Sequence, residues 1–156
     1  MLIFICYTYF VAKTKNDDII KFDLNRTVAN GVHIIGRIDR EIYRCVTENI
    51  VTDEVIITDE RIQHIKLRHP NDFEKYCDYM NDIVTNPEYI IETNKPNTAL
   101  ILKSFFEGDE QFKTVLRLIT SSENSKYKNS IITFMKINEK EWRRLLRNKK
   151  ILYKSE

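Results

Sequence analysis

The segment RIQHIKLRHP, residues 61–70, concentrates side chains that can exchange protons and bind anions. It holds two of the three histidines of the chain beside two arginines. On a helix, Arg61, His64 and Arg68 lie on one side because they are spaced i, i+3 and i+7. His69 falls on a neighbouring, more apolar side. Histidine can act as acid or base near neutral pH and arginine binds phosphate oxygens, so the segment is a candidate half of a phosphate-processing site.

Both histidines also have ordinary structural interpretations. His69 would lie at the C-terminus of the predicted helix, where an imidazole can bond the last carbonyls. His64 would be a surface residue of a solvated basic helix. The pair is spaced i, i+5 rather than the i, i+4 of a zinc-binding helix, and no cluster of carboxylates accompanies it. We therefore expect no metal and no other cofactor.

Four further polar side chains interrupt segments that otherwise have the apolar pattern of strands. They are Lys103, Arg117, Ser130 and Thr133. For any one of them alone, a position on the solvent face of a half-buried strand is the better explanation. Together with the histidines, they are the groups needed for metal-free RNA cleavage, in which the ribose 2′-hydroxyl attacks its own phosphate. That reaction needs an acid, a base, and fixed cations and hydroxyl donors around the phosphorane.

The spacing of hydrophobic residues changes along the chain, from a helical period in some segments to the alternation of strands in others. These segments must position the groups named above. A helix is predicted from Thr58 or Asp59 to just before Pro70, and a second helix from Asn71 or Asp72 to Val84. Runs of β-branched and aromatic residues precede them. These runs, predicted as strands, are MLIFICYTYF, IIKFDL, residues 32–38 and residues 55–58.

After the two helices, the pattern is that of a meander. Four successive strands are predicted at EYIIET, NTALILKSFF, QFKTVLRLITSS and NSIITFMKI. A short helix EKEWRRLLRN follows, with Trp142 turned inward, and ILYK closes the chain as an edge strand. This order predicts an α+β fold in which the helices lie on one face of an antiparallel meander sheet of about four strands. Parallel βαβ units are not indicated.

The composition bounds the class of protein. A chain of 156 residues with 42% hydrophobic residues fits one domain, or one domain with a short extension. Its three cysteines show no disulfide or zinc spacing, which favours a reducing compartment. The opening MLIFICYTYFVA lacks the features of a signal peptide and is too short to span a bilayer. We expect a soluble cytoplasmic protein with no membrane partner.

The net charge of +2 is unevenly distributed. Residues 126–156 contain ten basic and three acidic residues and therefore carry +7, whereas the preceding 125 residues carry −5. Such asymmetry favours a polyanionic partner for the C-terminal part. The alternative, which remains open, is a basic helix that is simply solvated.

Several of these segments, in this order, resemble the phage-type branch of the barnase–EndoU–colicin E5/D–RelE nuclease superfamily. The resemblance covers residues 36–156, and residues 1–35 are expected to be a strand-rich extension that completes the sheet. Its most specific parts are ERIQHIKLRHP, the NSIIT strand and the terminal YKSE. The segments that carry the resemblance are VTDEVIITDERIQHIKLRHP, NPEYIIE, QFKTVLRLIT, KNSIITFMKI and ILYKSE.

The resemblance implies a helix-plus-antiparallel-sheet nuclease domain that cleaves tRNA or mRNA without a metal. It implies His64 or His69 as the acid–base residue, and the face shared with Arg61 and Arg68 favours His64. The remaining implied roles concern the phosphate and the ribose. Arg68, Lys103 and Arg117 would stabilise the phosphate, with Arg61 on the same substrate-binding surface, and Ser130 and Thr133 would hold the scissile phosphate or the ribose.

The implied partners are RNA and a cognate inhibitor or immunity protein, in a phage, prophage or toxin context within the host cytoplasm. Two other classes of protein fit the same residues. A non-catalytic nucleic-acid-binding or virion-associated module would bind polyanions in a salt-dependent manner and need neither histidine. A self-associating structural domain would form oligomers and have no affinity for RNA.

Overall fold

The fold is known from a computed structural model, in which the structure describes residues 27–29 and 31–156. The predicted strands MLIFICYTYF and IIKFDL lie outside the described residues. The predicted boundary between residues 35 and 36 falls inside a single strand of six residues, Val32–Arg37.

Within the described residues, one sheet of eight strands runs through the molecule. Its strands are β1 (Thr27–Ala29), β2 (Val32–Arg37), β3 (Glu54–Thr58), β4 (Tyr89–Ile91), β5 (Thr98–Phe105), β6 (Glu110–Arg117), β7 (Asn129–Ile137) and β8 (Ile151–Lys154). Their spatial order is β1-β2-β3-β7-β6-β5-β4-β8. The predicted meander is present as β4 to β7, but the expectation of about four strands was wrong, because β1 to β3 extend one side of it and β8 the other.

One strand pair is parallel, which the sequence did not indicate. β3 lies beside β7 with Val55 opposite Asn129 and Ile56 opposite Ser130, whereas the other strand pairs are antiparallel. The buried Asn129 side chain secures this junction. Its amide donates to the carbonyl of Thr52 at 2.8 Å, and its oxygen accepts from the N–H of Ile119 at 2.8 Å. The last strand, β8, forms one end of the sheet as predicted.

Five α-helices are described. They are α1 (Arg40–Tyr43), α2 (Asp59–Arg68), α3 (Asp72–Tyr76), α4 (Tyr79–Thr85) and α5 (Glu139–Asn148). The second helix predicted from the sequence is two helices, because a turn at Cys77 and Asp78 divides it. This turn allows both Tyr76 and Tyr79 to pack on the ring of Phe112, at centroid distances of 5.0 and 5.3 Å.

The helices lie on both faces of the sheet, which corrects the expectation of one face. On the first face, buried residues of α1 to α4, among them Ile65 and Ile83, share a core with Ile101 and Phe134 of the sheet. On the second face, Trp142 and Leu145 of α5 pack with Ile91, Leu100 and Leu102. The sheet is therefore covered by helices on both sides.

Candidate active site

Helix α2 carries the RIQHIKLRHP segment and has nearly the predicted bounds. Thr58 caps its first turn, since its hydroxyl oxygen accepts from the N–H of Arg61 at 3.3 Å. Ile62 and Ile65 are buried and attach the helix to the first core. His69 caps the other end, where its backbone N–H donates to the carbonyl of Ile65 at 2.8 Å. Pro70 follows outside the helix, as the sequence predicts.

Three of the candidate site residues, Arg61, His64 and Arg68, lie on another side of α2, and the fourth, His69, directly follows the helix. His64 and Arg68 are exposed, and Arg61 and His69 are half-buried. Within the part of the chain that the structure describes, none of these four side chains makes a hydrogen bond or an ion pair. Lys66 of the same helix is different, because it lies 3.5 Å from a carboxylate oxygen of Glu74. α2 therefore offers two imidazoles and two guanidinium groups that no described protein group occupies.

The start of α2 is held by β2 and by Gly31, the residue directly before β2. The N–H of Asp59 donates to the carbonyl of Gly31 at 2.8 Å, and a carboxylate oxygen of Asp59 lies 2.5 Å from Nε2 of His33. His33 is only 5% exposed. Sequence reasoning missed this contact, because the two residues are 26 positions apart and His33 carries no local motif. Thus the third histidine of the chain positions the helix that holds the other two.

Gly31 is required for this attachment. Its φ is +71°, and a Cβ at this position would lie 2.4 Å from Oδ2 of Asp59. A side chain here would meet both a strained backbone conformation and the carboxylate. Gly31 thus fixes where α2 begins relative to β2.

Lys103 and Arg117 are already engaged by neighbouring groups. Lys103 Nζ donates to the carbonyl of Asn86 at 2.6 Å and lies 3.5 Å from a carboxylate oxygen of Asp82. Arg117 lies 2.5 Å from Glu123 and also donates to the carbonyl of Leu118. These contacts explain how polar side chains are accommodated inside otherwise apolar strands.

The Glu123 carboxylate binds both Arg117 of β6 and the backbone of the loop that follows β6. The backbone N–H of Thr120 and the guanidinium of Arg117 lower the pKa of Glu123. Arg117 therefore serves, in this arrangement, to secure the loop that follows β6.

Ser130 and Thr133 face the opposite side of the sheet from α2. In β7, their neighbours Ile131 and Phe134 point into the first core, beneath α2 to α4. Strand alternation therefore directs the two hydroxyls to the second face. There, Ser130 pairs in register with Arg117, and Thr133 pairs with Val115, which packs against the core beneath α5.

The predicted site residues thus lie in three places. Arg61, His64 and Arg68 lie on α2, and His69 is the residue that caps its C-terminus. Ser130 and Thr133 share the other face of the sheet with Arg117, and Lys103 is bound to α4. The catalytic or binding role of each of these residues remains a prediction.

A cleft that the sequence did not indicate lies at the end of β7, between the first residues of α3 and α5. Its volume is about 640 Å³. Asp72, at the start of α3, connects it to the end of α2: its N–H donates to the carbonyl of His69 at 3.1 Å, and its carboxylate accepts from the N–H of Lys136 at 3.4 Å. The residues that line the cleft are Asp72, Gly108, Asp109, Gln111, Lys136, Ile137, Asn138 and Glu139.

No group of three or more histidine, cysteine, aspartate or glutamate side chains among the described residues is arranged to hold a metal ion. In the same part of the chain, the helices are too short or too polar to cross a membrane.

The fold and the α2 surface define an α+β domain with exposed and half-buried histidine and arginine side chains on and directly after one helix. A family model described as phage-Barnase-EndoU-ColicinE5/D-RelE like nuclease 2 matches residues 32–154. The match spans most of the chain, and the chain belongs to this nuclease family. It begins four residues before the segment in which the sequence resemblance was seen. Comparison with curated proteins and with solved structures found no match.

Proposed function

We propose that this protein is a metal-independent endoribonuclease whose active site is built on α2. The family supports nuclease activity, and the finer assignment rests on one observation. Four side chains on or directly after α2, Arg61, His64, Arg68 and His69, are exposed or half-exposed and engaged by no described group. Two of them can carry protons near neutral pH, and two can bind phosphate oxygens.

In the proposed reaction, a histidine of α2 takes the proton of a ribose 2′-hydroxyl. The 2′-oxygen then forms a bond to the adjacent phosphorus, and the bond from phosphorus to the 5′-oxygen breaks. A protonated group delivers a proton to that 5′-oxygen. The products are a 2′,3′-cyclic phosphate and a 5′-hydroxyl end. His64 is the favoured acid–base residue, because it shares a helix face with Arg61 and Arg68.

The arginines would act on the charge that builds on the phosphorane. A guanidinium group keeps its charge at any working pH and can donate two parallel hydrogen bonds to phosphate oxygens. Fixed donors of this kind lower the barrier most when they are aimed at the transition state. Ser130, Thr133, Lys103 and Arg117 are not needed for this proposal, since they face elsewhere or already have partners.

The substrate class belongs to the same proposal. RNA is favoured over DNA because a 2′-hydroxyl replaces the metal-activated water as nucleophile, and tRNA and mRNA are the candidates that the resemblance implies. A cognate inhibitor protein, a phage, prophage or toxin context, and action in the host cytoplasm are further parts of the proposal. The word phage in the description of the family is what supports that context.

The experiment is cleavage of total tRNA and of a long unstructured RNA, with and without EDTA, by the wild type and by His64→Ala and His69→Ala. Gln63→Ala is the matched control, because Gln63 is exposed on the same helix. We expect cleavage that persists in EDTA and falls by about 10²–10⁴-fold with the acid–base histidine, at unchanged thermal stability.

Cleavage that stops in EDTA and returns with a divalent cation would overturn the metal-free mechanism. Cleavage that survives loss of each histidine would overturn the assignment to α2. Binding of both RNAs in low salt without any cleavage would instead support a non-catalytic nucleic-acid-binding module.

A further inference from the structure

The outer face of α5 carries a row of basic side chains. They are spaced i, i+3, i+4 and i+7, so they share one side of the helix, within an arc of about 100°. The opposite side buries Trp142 and Leu145 against the sheet. We call the exposed basic set the α5 ridge; it consists of Lys140, Arg143, Arg144 and Arg147.

The α5 ridge is only partly neutralised. Nε of Arg143 donates to Glu139 at 2.6 Å, and Arg144 donates to Glu141 at 2.7 Å. Within the described chain, Lys140 has no side-chain partner, and Arg147 contacts only the side chain of its neighbour Asn148, at 3.4 Å. The two acids flank the ridge rather than interrupt it, which leaves a continuous positive surface about 10 Å long.

The ridge starts where the cleft at the end of β7 stops. Asn138 and Glu139, at the start of α5, line this cleft together with Asp72. Asp72 is hydrogen-bonded to the carbonyl of His69, at the end of α2. Although α2 and α5 lie on opposite faces of the sheet, one cleft lies between the start of α5 and Asp72, the residue that is hydrogen-bonded to the end of α2.

We propose that the α5 ridge binds the phosphate backbone of an RNA strand whose cleaved phosphate lies at α2. This inference rests on the proposed function. The strand would pass the end of β7, where the cleft lies, and continue along α5. Three carboxylates and one lysine line the cleft, so phosphates are expected on the two helices and nucleosides at the cleft.

The chemistry of the ridge favours a polyanion over an acidic protein as its partner. Protein interfaces usually have an apolar or aromatic centre. The described large hydrophobic residues that are exposed, Ile34, Val51, Leu67, Tyr127 and Ile151, include none on α5. A row of guanidinium and ammonium groups without an apolar centre matches a phosphate backbone, which is contacted mainly through charge and hydrogen bonds.

The experiment compares two double variants that remove the same charge. Lys140→Gln with Arg147→Gln removes the two ridge cations that pair with no acid among the described residues. Lys95→Gln with Lys126→Gln is the matched control, because both lysines are exposed and lie off the ridge. The probe is a 2′-O-methyl oligoribonucleotide of about 20 nucleotides, which lacks the attacking hydroxyl and cannot be cut by the proposed reaction.

For the ridge variant, we expect the affinity at low salt to fall by about tenfold and the salt slope to decrease by about 1.4. The control variant should bind nearly as the wild type does. The control variant should also retain the wild-type rate on a trinucleotide, since neither of its lysines lies on α2 or on the ridge. Equal losses in the two variants, or no loss in the ridge variant, would overturn the inference.

The two proposals fail separately in this design. If the wild type cleaves no RNA but the ridge variant still loses affinity for the probe, the ridge stands and the proposed catalysis fails. If the trinucleotide is cleaved while the ridge variant binds the probe like the wild type, the catalysis stands and the ridge fails. An acidic protein that binds the ridge when the probe does not would also overturn the inference.

Discussion

Helices α2 and α5 are equal in length and both are rich in cations, yet their charges are handled differently. Each has ten residues and acids in its first turn. In α5, Glu139 and Glu141 lie one turn before Arg143 and Arg144 and pair with them. In α2, the acid Asp59 contacts His33 of the neighbouring strand instead. No acid lies three or four positions before Arg61 or Arg68, and neither arginine has an acidic partner among the described residues.

This difference in pairing indicates which helix is better suited to catalysis on a bound anion. A guanidinium group that is already paired must exchange its partner before it binds phosphate, which reduces the net gain. The two helices also differ in histidine content, since α5 has none. α2 therefore has the groups for proton transfer and charge stabilisation, whereas α5 has groups suited to holding a backbone in place.

The largest expected difference between the helices is in catalysis on a short substrate. Arg68→Gln should lower the cleavage rate of a trinucleotide by about 10–100-fold, because it removes a donor from the developing phosphorane charge. Arg143→Gln should leave that rate within about twofold, since the side chain is exposed, already paired and on a helix that covers the opposite face of the sheet from α2. The measurement is kcat/KM for both variants at equal folded fraction.

Comparable losses in the two arginine variants would mean that charge alone, wherever it lies, sets the rate. A loss in Arg143→Gln only would move the active site to α5. A lysine at position 68 is the next test. The cleavage rate of Arg68→Lys should lie between those of Arg68→Gln and the wild type, because an ammonium group lacks the paired donors of a guanidinium.

The elements that were found from sequence are those with local signals. α2 was predicted from the cap at Thr58, the buried spacing of Ile62 and Ile65, and the stop before Pro70. α5 was predicted in the same way from its period and its inward Trp142. Caps and periodicity act within one or two turns, so a single sequence contains them. The four strands of the meander were equally readable.

The arrangement of the site could not be predicted from the sequence, because it depends on contacts between residues that are far apart along the chain. Alternation shows that Ser130 and Ile131 face opposite sides of a strand, but not which side α2 covers. The irregular pairing of β7 with β6 near Val115 further shifts which residues of β7 face which side. The parallel pairing of β3 with β7 joins segments more than 70 residues apart, and no turn signal specifies it.

A smaller effect tests how α2 is attached. Gly31→Ala should lower the free energy of unfolding by about 2–3 kcal/mol, because the new Cβ meets the Asp59 carboxylate and the backbone is in the left-handed region. Gly108→Ala is the matched control: its φ is also positive, at +93°, but no atom lies within 4 Å of the new Cβ. Its cost should be about 1 kcal/mol. Chemical denaturation measures both.

The same two variants separate stability from catalysis. Since Gly31 fixes the start of α2, Gly31→Ala should also reduce trinucleotide cleavage at temperatures where the protein is folded, and should reduce it more than Gly108→Ala does. If the two glycine variants lost equal stability and equal activity, the contact between Gly31 and Asp59 would have no special role in positioning α2.

The smallest expected effect is on stability and comes from removing an acid of α5. Without that acid, the cations of α5 would resemble those of α2 in having fewer acidic partners. The hydrogen bond from Arg144, with the charge of Lys113, lowers the pKa of Glu141 to about 2. Because this pKa lies below that of the unfolded chain, near 4.3, the pair stabilises the protein above that pH and the contribution is lost as the pH falls towards 2. Glu141→Gln should therefore lower the free energy of unfolding by about 1 kcal/mol at pH 7, a modest value because the pair is partly exposed, and by almost nothing near pH 2.

Glu48→Gln is the control, since Glu48 is exposed and has no partner among the described residues. A Glu141→Gln penalty that did not change between pH 7 and pH 2 would mean that the residue acts through packing, and that the cations of α5 are as free as those of α2.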